Sequence, residues 1–344
     1  RLFNKLSRSF GGHRLTYARP TSPKFYPDVI NWNKINGVAK STILTDRSGV
    51  YLSGYDKFDA FDLNPVNITK FDTTGNQTTH IVIGIDLGTF AHSVDFVSVM
   101  NHNLNTAEGE IRIAHDTSAI TTAGGGTTVA SYSAILNAAE GGTSNIIAPD
   151  ADGDTLYSFT ASTDRYWSIE IRDLASFSAA EDLFIGSVML GEMYSLPHSP
   201  DLNVTHSFSV DGANITESVS GKRHSNPRWI KANSETATGD NYIPFRTALG
   251  AKQIPGRERY SISYSTVDDT DVFPSDLSTL TGDTVITDLL SKTAWQTLPL
   301  IMAIDSASTT QGDYVYGRFM DKTLAVTQIA HRVYSTSMGF EQEF

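Results

Sequence analysis

Between His80 and Met100 the chain alternates apolar and polar residues with a period of two, and this constrains its fold more than anything else in the sequence. Ile81, Ile83, Ile85 and Leu87 point one way and Val82, Gly84 and Asp86 the other, as a half-buried strand requires. Gly88 breaks the run. Val94, Phe96, Val97 and Val99 resume it, and the polar Asn101, His102 and Asn103 close it. Two such runs a few residues apart form either a hairpin or consecutive strands of a sandwich. Similar stretches follow at Glu110–Ala114, Leu156–Phe159, Tyr166–Ile171, Phe184–Leu190 and Arg259–Val267. Thr, Ser, Gly, Asn and Asp fill the spaces between them, so the expected class is all-β with many turns.

Charge is unevenly placed. Arg1, Lys5, Arg8, Arg14, Arg19 and Lys24 precede the first acidic residue, Asp28, leaving 20 basic against 38 acidic residues for the rest of a chain of net charge −12. Leu2, Phe3, Leu6, Phe10, Leu15 and Tyr17 interleave apolar anchors with those cations. A segment of this kind suits docking on the acidic surface of a neighbouring copy, and Arg1, Phe3, Lys5, Arg8, Phe10, Arg14 and Arg19 are its expected contacts. Nucleic acid is the less favoured partner, and a solvated terminus the bland alternative. The chain has no cysteine, which excludes disulfides and thiolate zinc sites. No apolar run is long enough to cross a bilayer and no signal-peptide core opens the sequence, so a soluble, cytosol-assembled protein is expected.

Three stretches taken together, IDLG…VDFVSVMNHNL, DRYWSIEI at Asp164–Ile171 and IGSVMLGE at Ile185–Glu192, resemble the discoidin-type (galactose-binding-like) β-sandwich, and more narrowly its version in tail proteins of bacterial viruses. The resemblance spans roughly residues 24–196. It implies a jelly roll with its ligand-binding loops at one end, around Tyr51–Asn76, and a structural role for the Asn-His-Asn-Leu loop. A looser likeness to such tail proteins covers Arg257–Phe344, with its YGRF strand and acidic end. The expected organisation is a basic arm (1–24), a discoidin-like sandwich (25–198) and a second β-rich, sandwich-like domain (199–344) with one short helix near 281–296. In that helix Val285, Leu289, Leu290 and Trp295 share a side, and Thr281 or Asp283 supplies the cap. Tyr132–Ala139 also reads as a short helix.

Candidate sites are few. Asp150, Asp152 and Asp154 in PDADGD are a weak calcium candidate, because the spacing is not that of an EF-hand loop and no bidentate Glu follows. His102 could act as a base but has no neighbouring Ser, Cys or His in sequence. The nine histidines form no paired metal motif, and Gly124–Gly126 lacks the Lys-Ser/Thr of a phosphate loop. Trp32, Tyr51, Tyr55, Phe58 and Phe61 could make a sugar-stacking platform, or could simply fill the core. Lys222, Arg223, Arg228 and Trp229 form a basic-aromatic patch that suits a neighbour's carboxylates better than a phosphate backbone. The Asn-x-Ser/Thr sequons carry no weight in so Thr-rich a chain.

The reading that follows is a virion structural protein of a phage tail, without active site or cofactor. It would assemble in the bacterial cytoplasm into a ring or tail-tip layer, with copies of itself and neighbouring tail proteins as partners. The alternative is a host-surface carbohydrate-binding tail protein; a glycan hydrolase would need paired carboxylates that the sequence does not arrange.

Overall fold

The structure, a computed structural model, describes residues 22–36, 44–46, 51–76, 80–89, 92–137, 139–140, 145–173, 181–209, 214–226, 244–245, 257–276, 284–307, 311–321 and 323–343. Strands dominate, in three large sheets that stack on one another. The all-β class read from the alternation holds.

The outer sheet of the sandwich runs Leu44–Asp46, His80–Asp86, Tyr166–Asp173, Gly109–Asp116, Ile147–Ala148 and Ala139–Glu140, with Thr127–Thr128 added beside Gly109–Asp116. The inner sheet runs Ser187–Gly191, Val94–His102, Gly153–Ser162 and Tyr132–Leu136. His80–Asp86 and Val94–His102 therefore lie in opposed sheets and are not a hairpin. Ile81, Ile83, Ile85, Ile111, Ile113, Trp167, Ile169 and Ile171 from one sheet meet Val97, Val99, Tyr157, Phe159, Val188 and Leu190 from the other.

Tyr132–Leu136, expected to be helical, is a strand beside Gly153–Ser162. Tyr132 packs in the sandwich core, its hydroxyl accepting from Ile113 N at 3.1 Å and donating to Ile113 O at 3.4 Å, while Leu136 turns to the opposite side; a two-residue period won over a weak helical pattern.

The central strand of the inner sheet, Val94–His102, is buried along nearly its whole length because the sheet is covered on both sides there. Its second side, through Phe96, Met100, Leu156 and Met189, packs on Tyr26, Ile301, Ala303, Tyr314 and Tyr316 of the largest sheet. That sheet runs Tyr194–Ser195, Lys24–Pro27, Leu300–Ala303, Tyr314–Phe319, Val333–Gln342, Arg257–Asp268 and Thr205–Ser209, with Val326–Ala330 also on Val333–Gln342. It takes strands from both sides of residue 198, so the boundary expected there is bridged by backbone hydrogen bonds. Alternation divides its side chains cleanly: Phe25, Leu300, Met302, Val315 and Phe319 turn away from the sandwich, toward Val285, Leu289 and Leu290.

Those last three belong to the helix expected near 281–296. It spans Val285–Ser291 with wide, π-type turns and is capped by Thr284, whose hydroxyl and that of Thr287 form a capping box; the expected caps Thr281 and Asp283 lie outside the described residues. Trp295 lies beyond it at φ 64°, largely exposed, and its N–H bonds Leu290 O at 2.7 Å. The expected apolar side thus ends one turn early.

Candidate functional site

The loops at one end of the sandwich are tied together by side chains bonding backbone. Asn101 (φ 51°) donates its N–H to Asp154 Oδ1 at 2.9 Å and its side-chain amide to Pro65 O at 2.7 Å. Asn103 accepts from Phe184 N at 2.7 Å and donates to Asp182 O at 2.9 Å. His102 Nδ1 accepts from Leu104 N at 3.2 Å, and burial pushes its pKa down to about 3, so the ring is neutral and unsuited to act as a base at ordinary pH. The Asn-His-Asn-Leu loop is a structural knot.

The three aspartates of PDADGD do not converge. Asp154 is buried and accepts from Asn101 N and, at 2.6 Å, from Phe245 N. Asp152 accepts from the backbone and hydroxyl of Thr106, and Asp150 is exposed. The Asp152 and Asp154 carboxylates thus bond different loops. Among the described residues one His/carboxylate set, His198, Asp268 and Asp271, has ligand atoms within 4.8 Å of one another. In it His198 Nε2 pairs with Asp271 Oδ2 at 3.2 Å.

On this same end, residues 51–71 form the turn-rich segment. Tyr51 bridges Phe71, and Leu52 N donates to Lys70 O at 3.0 Å. The acids of the segment are engaged in its turns: Asp56 accepts from Phe58 N (2.8 Å), Asp59 from Asp56 N (3.2 Å), and Asp62 from Asn64 N and the Asn67 amide (2.7 and 2.6 Å). Burial raises the Asp62 pKa above its usual value, and its two hydrogen bonds offset only part of that. The segment is anchored below by Tyr316, whose hydroxyl donates to Leu63 O at 2.9 Å.

What the turns present outward is aromatic and cationic. Tyr51, Tyr55 and Phe58 are each partly exposed; Tyr51 and Phe58 rest on the sandwich core. Lys57 Nζ stands 5.1 Å from the Phe58 centroid and Lys70 Nζ 5.8 Å from that of Tyr55. Three of the five platform residues thus remain partly exposed on this segment. Phe61 is in the core. Trp32 is excluded too: it is buried, its ring sits edge-on to His92 at 4.8 Å, and its N–H donates to Ser291 O at 2.8 Å. Trp32 sits on the helix Val29–Ile35, capped by the buried Asp28; Val29 and Ile30 of that helix enter the sandwich core while the Trp32 N–H reaches the helix Val285–Ser291.

Two titratable clusters went unseen in the sequence because their members are far apart along it. In one, Lys292 Nζ lies 2.7 Å from both Glu192 and Asp288. Asp288 also accepts from Thr284 N (3.0 Å) and the Thr287 hydroxyl (2.9 Å). Burial pulls the Lys292 pKa down, but the two carboxylates outweigh it and the net shift is upward. The neighbouring Asp95 is raised from 3.8 to about 6 by burial, reinforced by Glu192 and opposed by the Met193 N–H and Lys292, while burial takes His92 down to about 4. A carboxylate raised in this way favours the fold below pH 4, and that contribution is lost as pH rises through 6. Asp95→Asn is therefore expected to gain about 1–2 kcal/mol over the parent at neutral pH and nothing below pH 4. Urea titrations at a series of pH values measure this; a pH-independent difference would refute it.

In the other cluster Ser162 Oγ and Asp164 Oδ2 both approach His115 Nδ1, at 3.2 and 2.5 Å. A serine relay needs the two partners on opposite ring nitrogens. This trio ties two strand ends together. The basic-aromatic patch is described only at Lys222 and Arg223, the latter paired with Glu217 at 3.3 Å; Arg228 and Trp229 lie outside the described residues, as do all the named contacts of the basic arm.

The geometry thus defines a β-sandwich protein with an aromatic-cationic loop end. Solved structures similar to the chain are carbohydrate-binding modules and lectins. One is a selenomethionine-labelled mutant of chitosan-binding module 1 from a chitosanase/glucanase of Paenibacillus sp. IK-5. It has 16% identity, a TM-score of 0.32, and coverage of 48% of this chain and 98% of the module. Another is the CBM32 of AlyQ in complex with 4,5-unsaturated mannuronic acid, at 19% identity, TM-score 0.27, and 43% and 94% coverage. The third is an f-lectin from the serum of striped bass, Morone saxatilis, at 15% identity, TM-score 0.29, and 50% and 48% coverage. No family model and no curated protein matches the sequence.

Proposed function

We propose that the chain is a glycan-recognition protein that stacks sugar rings on Tyr51, Tyr55 and Phe58 and makes or breaks no bond. One observation carries this reading: three partly exposed rings, with Lys57 and Lys70 above them, stand on a loop whose own carboxylates are engaged in its turns. Aromatic faces supply apolar area to sugar C–H groups at low entropic cost, and flanking ammonium groups fix hydroxyl or carboxylate orientation. Its place would be the tail of a bacterial virus, meeting the glycans of the host surface after assembly in the bacterial cytoplasm. A glycan array followed by calorimetry on the best ligand tests it. Tyr55→Ala is expected to weaken binding about tenfold, and Trp32→Phe to leave it unchanged. An array without a hit, or affinity indifferent to Tyr55 and Phe58, would end the reading.

A second reading, the virion structural protein that assembles with copies of itself and neighbouring tail proteins, is favoured by a different observation. Leu202 and Phe208 are among the most exposed large apolar side chains, Phe208 on the terminal strand of the largest sheet and Leu202 just before it.

A further inference from the structure

We infer that Thr205–Ser209 is a dimerisation strand, pairing antiparallel with the same strand of a second copy about Ser207. The inference rests on the assembly reading and is independent of glycan binding. Thr205–Ser209 is the terminal strand of the largest sheet: it pairs with Arg257–Asp268 on one side, and among the described residues no strand pairs with the other. An edge of this kind presents a row of backbone donors and acceptors, and proteins that stay monomeric blunt it with Lys, Pro or an inward charge. The sequence Thr-His-Ser-Phe-Ser has none of these. Thr205, Ser207 and Phe208 are exposed, Phe208 to 67%.

The register supplies the second copy. His206 lies opposite Tyr260 and stacks on it, with ring centroids 4.3 Å apart and planes 9° from parallel; the Phe208 ring packs against His206 at 4.4 Å, tilted by 47°. Glu258 holds the ladder from beneath, accepting from the Tyr260 hydroxyl at 2.7 Å and lying 3.3 Å from His206 Nε2. Antiparallel pairing about Ser207 sets Ser207 against Ser207, and His206 of each copy against Phe208 of the other. The two aromatic ladders then become one, and each exposed Phe208 gains a partner ring.

Charge points the same way. The chain carries −12, so copies repel over most of their surface. This strand has no carboxylate, and the half-exposed Arg257 and Arg259 beside it are balanced by Glu341 at 3.3 and 2.5 Å. It is a place where two acidic bodies can meet without like charges opposed.

The mass of the full chain in solution, measured by sedimentation across a concentration series, tests the inference. The expected result is a dimer of roughly micromolar affinity, as a short edge contact allows. Ser207→Lys and Ser207→Glu, each placing like charges on the two-fold axis, should each be monomeric with the circular dichroism of the parent. Mixed in equal amounts they should form a heterodimer. Phe208→Lys, which sets a charge against the His206 ring of the other copy, serves as the second disrupting variant. A parent that is monomeric throughout overturns both the inference and the assembly reading. A parent oligomer that survives Ser207→Lys and Phe208→Lys, or charge-swapped chains that do not recombine, overturns the inference alone.

Discussion

Replacing Lys292 with methionine is expected to cost about 3–5 kcal/mol of folding stability, because it strands two carboxylates against a buried apolar stem. Lys292 is buried and sits 2.7 Å from Glu192 and from Asp288, so both ion pairs vanish with one substitution. Methionine keeps most of the volume, which separates the charge effect from a cavity effect. The position matters as much as the energy. Glu192 follows the last strand of the sandwich, Asp288 lies on the helix under the largest sheet, and the ammonium joins them. Beside it Trp32 reaches Ser291 O and His92 lies 3.2 Å from Asn33, so the same seam is hydrogen-bonded as well as charged.

The pH dependence of that loss has a definite sign. Burial works against the charged form of Glu192, but Lys292 outweighs it and holds the carboxyl below its ordinary 4.5. A depressed carboxylate contributes stability above its unfolded pKa and loses it as pH falls through the folded one. The deficit of Lys292→Met should therefore be full at pH 7 and shrink below about pH 4. Adding Glu192→Gln should recover part of it at pH 7, since one stranded charge is removed. Urea unfolding of the two single variants and the double variant measures all three quantities; a Lys292→Met loss below about 1 kcal/mol at pH 7 would show the pair to be solvent-screened instead.

The seam also marks where the sequence stops being legible. Alternation at His80–Asp86, Tyr166–Asp173 and Arg257–Asp268 announces strands because burial on one side writes a period of two into the residues themselves. The three rings Tyr51, Tyr55 and Phe58 were legible as a group for a similar reason: they fall within eight residues of a turn-rich loop. Trp32 was not separable from them, because what buries it is Ser291 and His92, far away in the chain. Nor does any local pattern reveal that Phe25 and Tyr26 feed two different cores, one on each side of the largest sheet. Several residues before Val285 have the chemistry of a cap, and only the reciprocal bonds of Thr284 and Thr287 mark where the helix begins.

Gly186→Ala should cost about 3 kcal/mol, at the upper end for overpacking, and should abolish the proposed glycan binding in a protein that still folds. Gly186 separates Phe184–Ile185 from Ser187–Gly191, two strands of different sheets. A Cβ there would lie 2.2 Å from Pro65 O and 2.8 Å from the Asn101 Cβ. Pro65 O is backbone and cannot rotate aside, and it already accepts the Asn101 amide at 2.7 Å. The added methyl must push the 62–67 turn outward, breaking that bond and with it the base on which Tyr55 and Phe58 stand. The neighbouring glycine, Gly191, is as tightly packed, with Pro27 O at 2.0 Å from its Cβ position, but it abuts the seam and not the loop end. Gly191→Ala is thus the discriminating control: a comparable loss of stability with glycan affinity retained. Should both variants lose affinity in proportion to their melting temperatures, the loop end owes its shape to global stability and not to the close approach at Gly186.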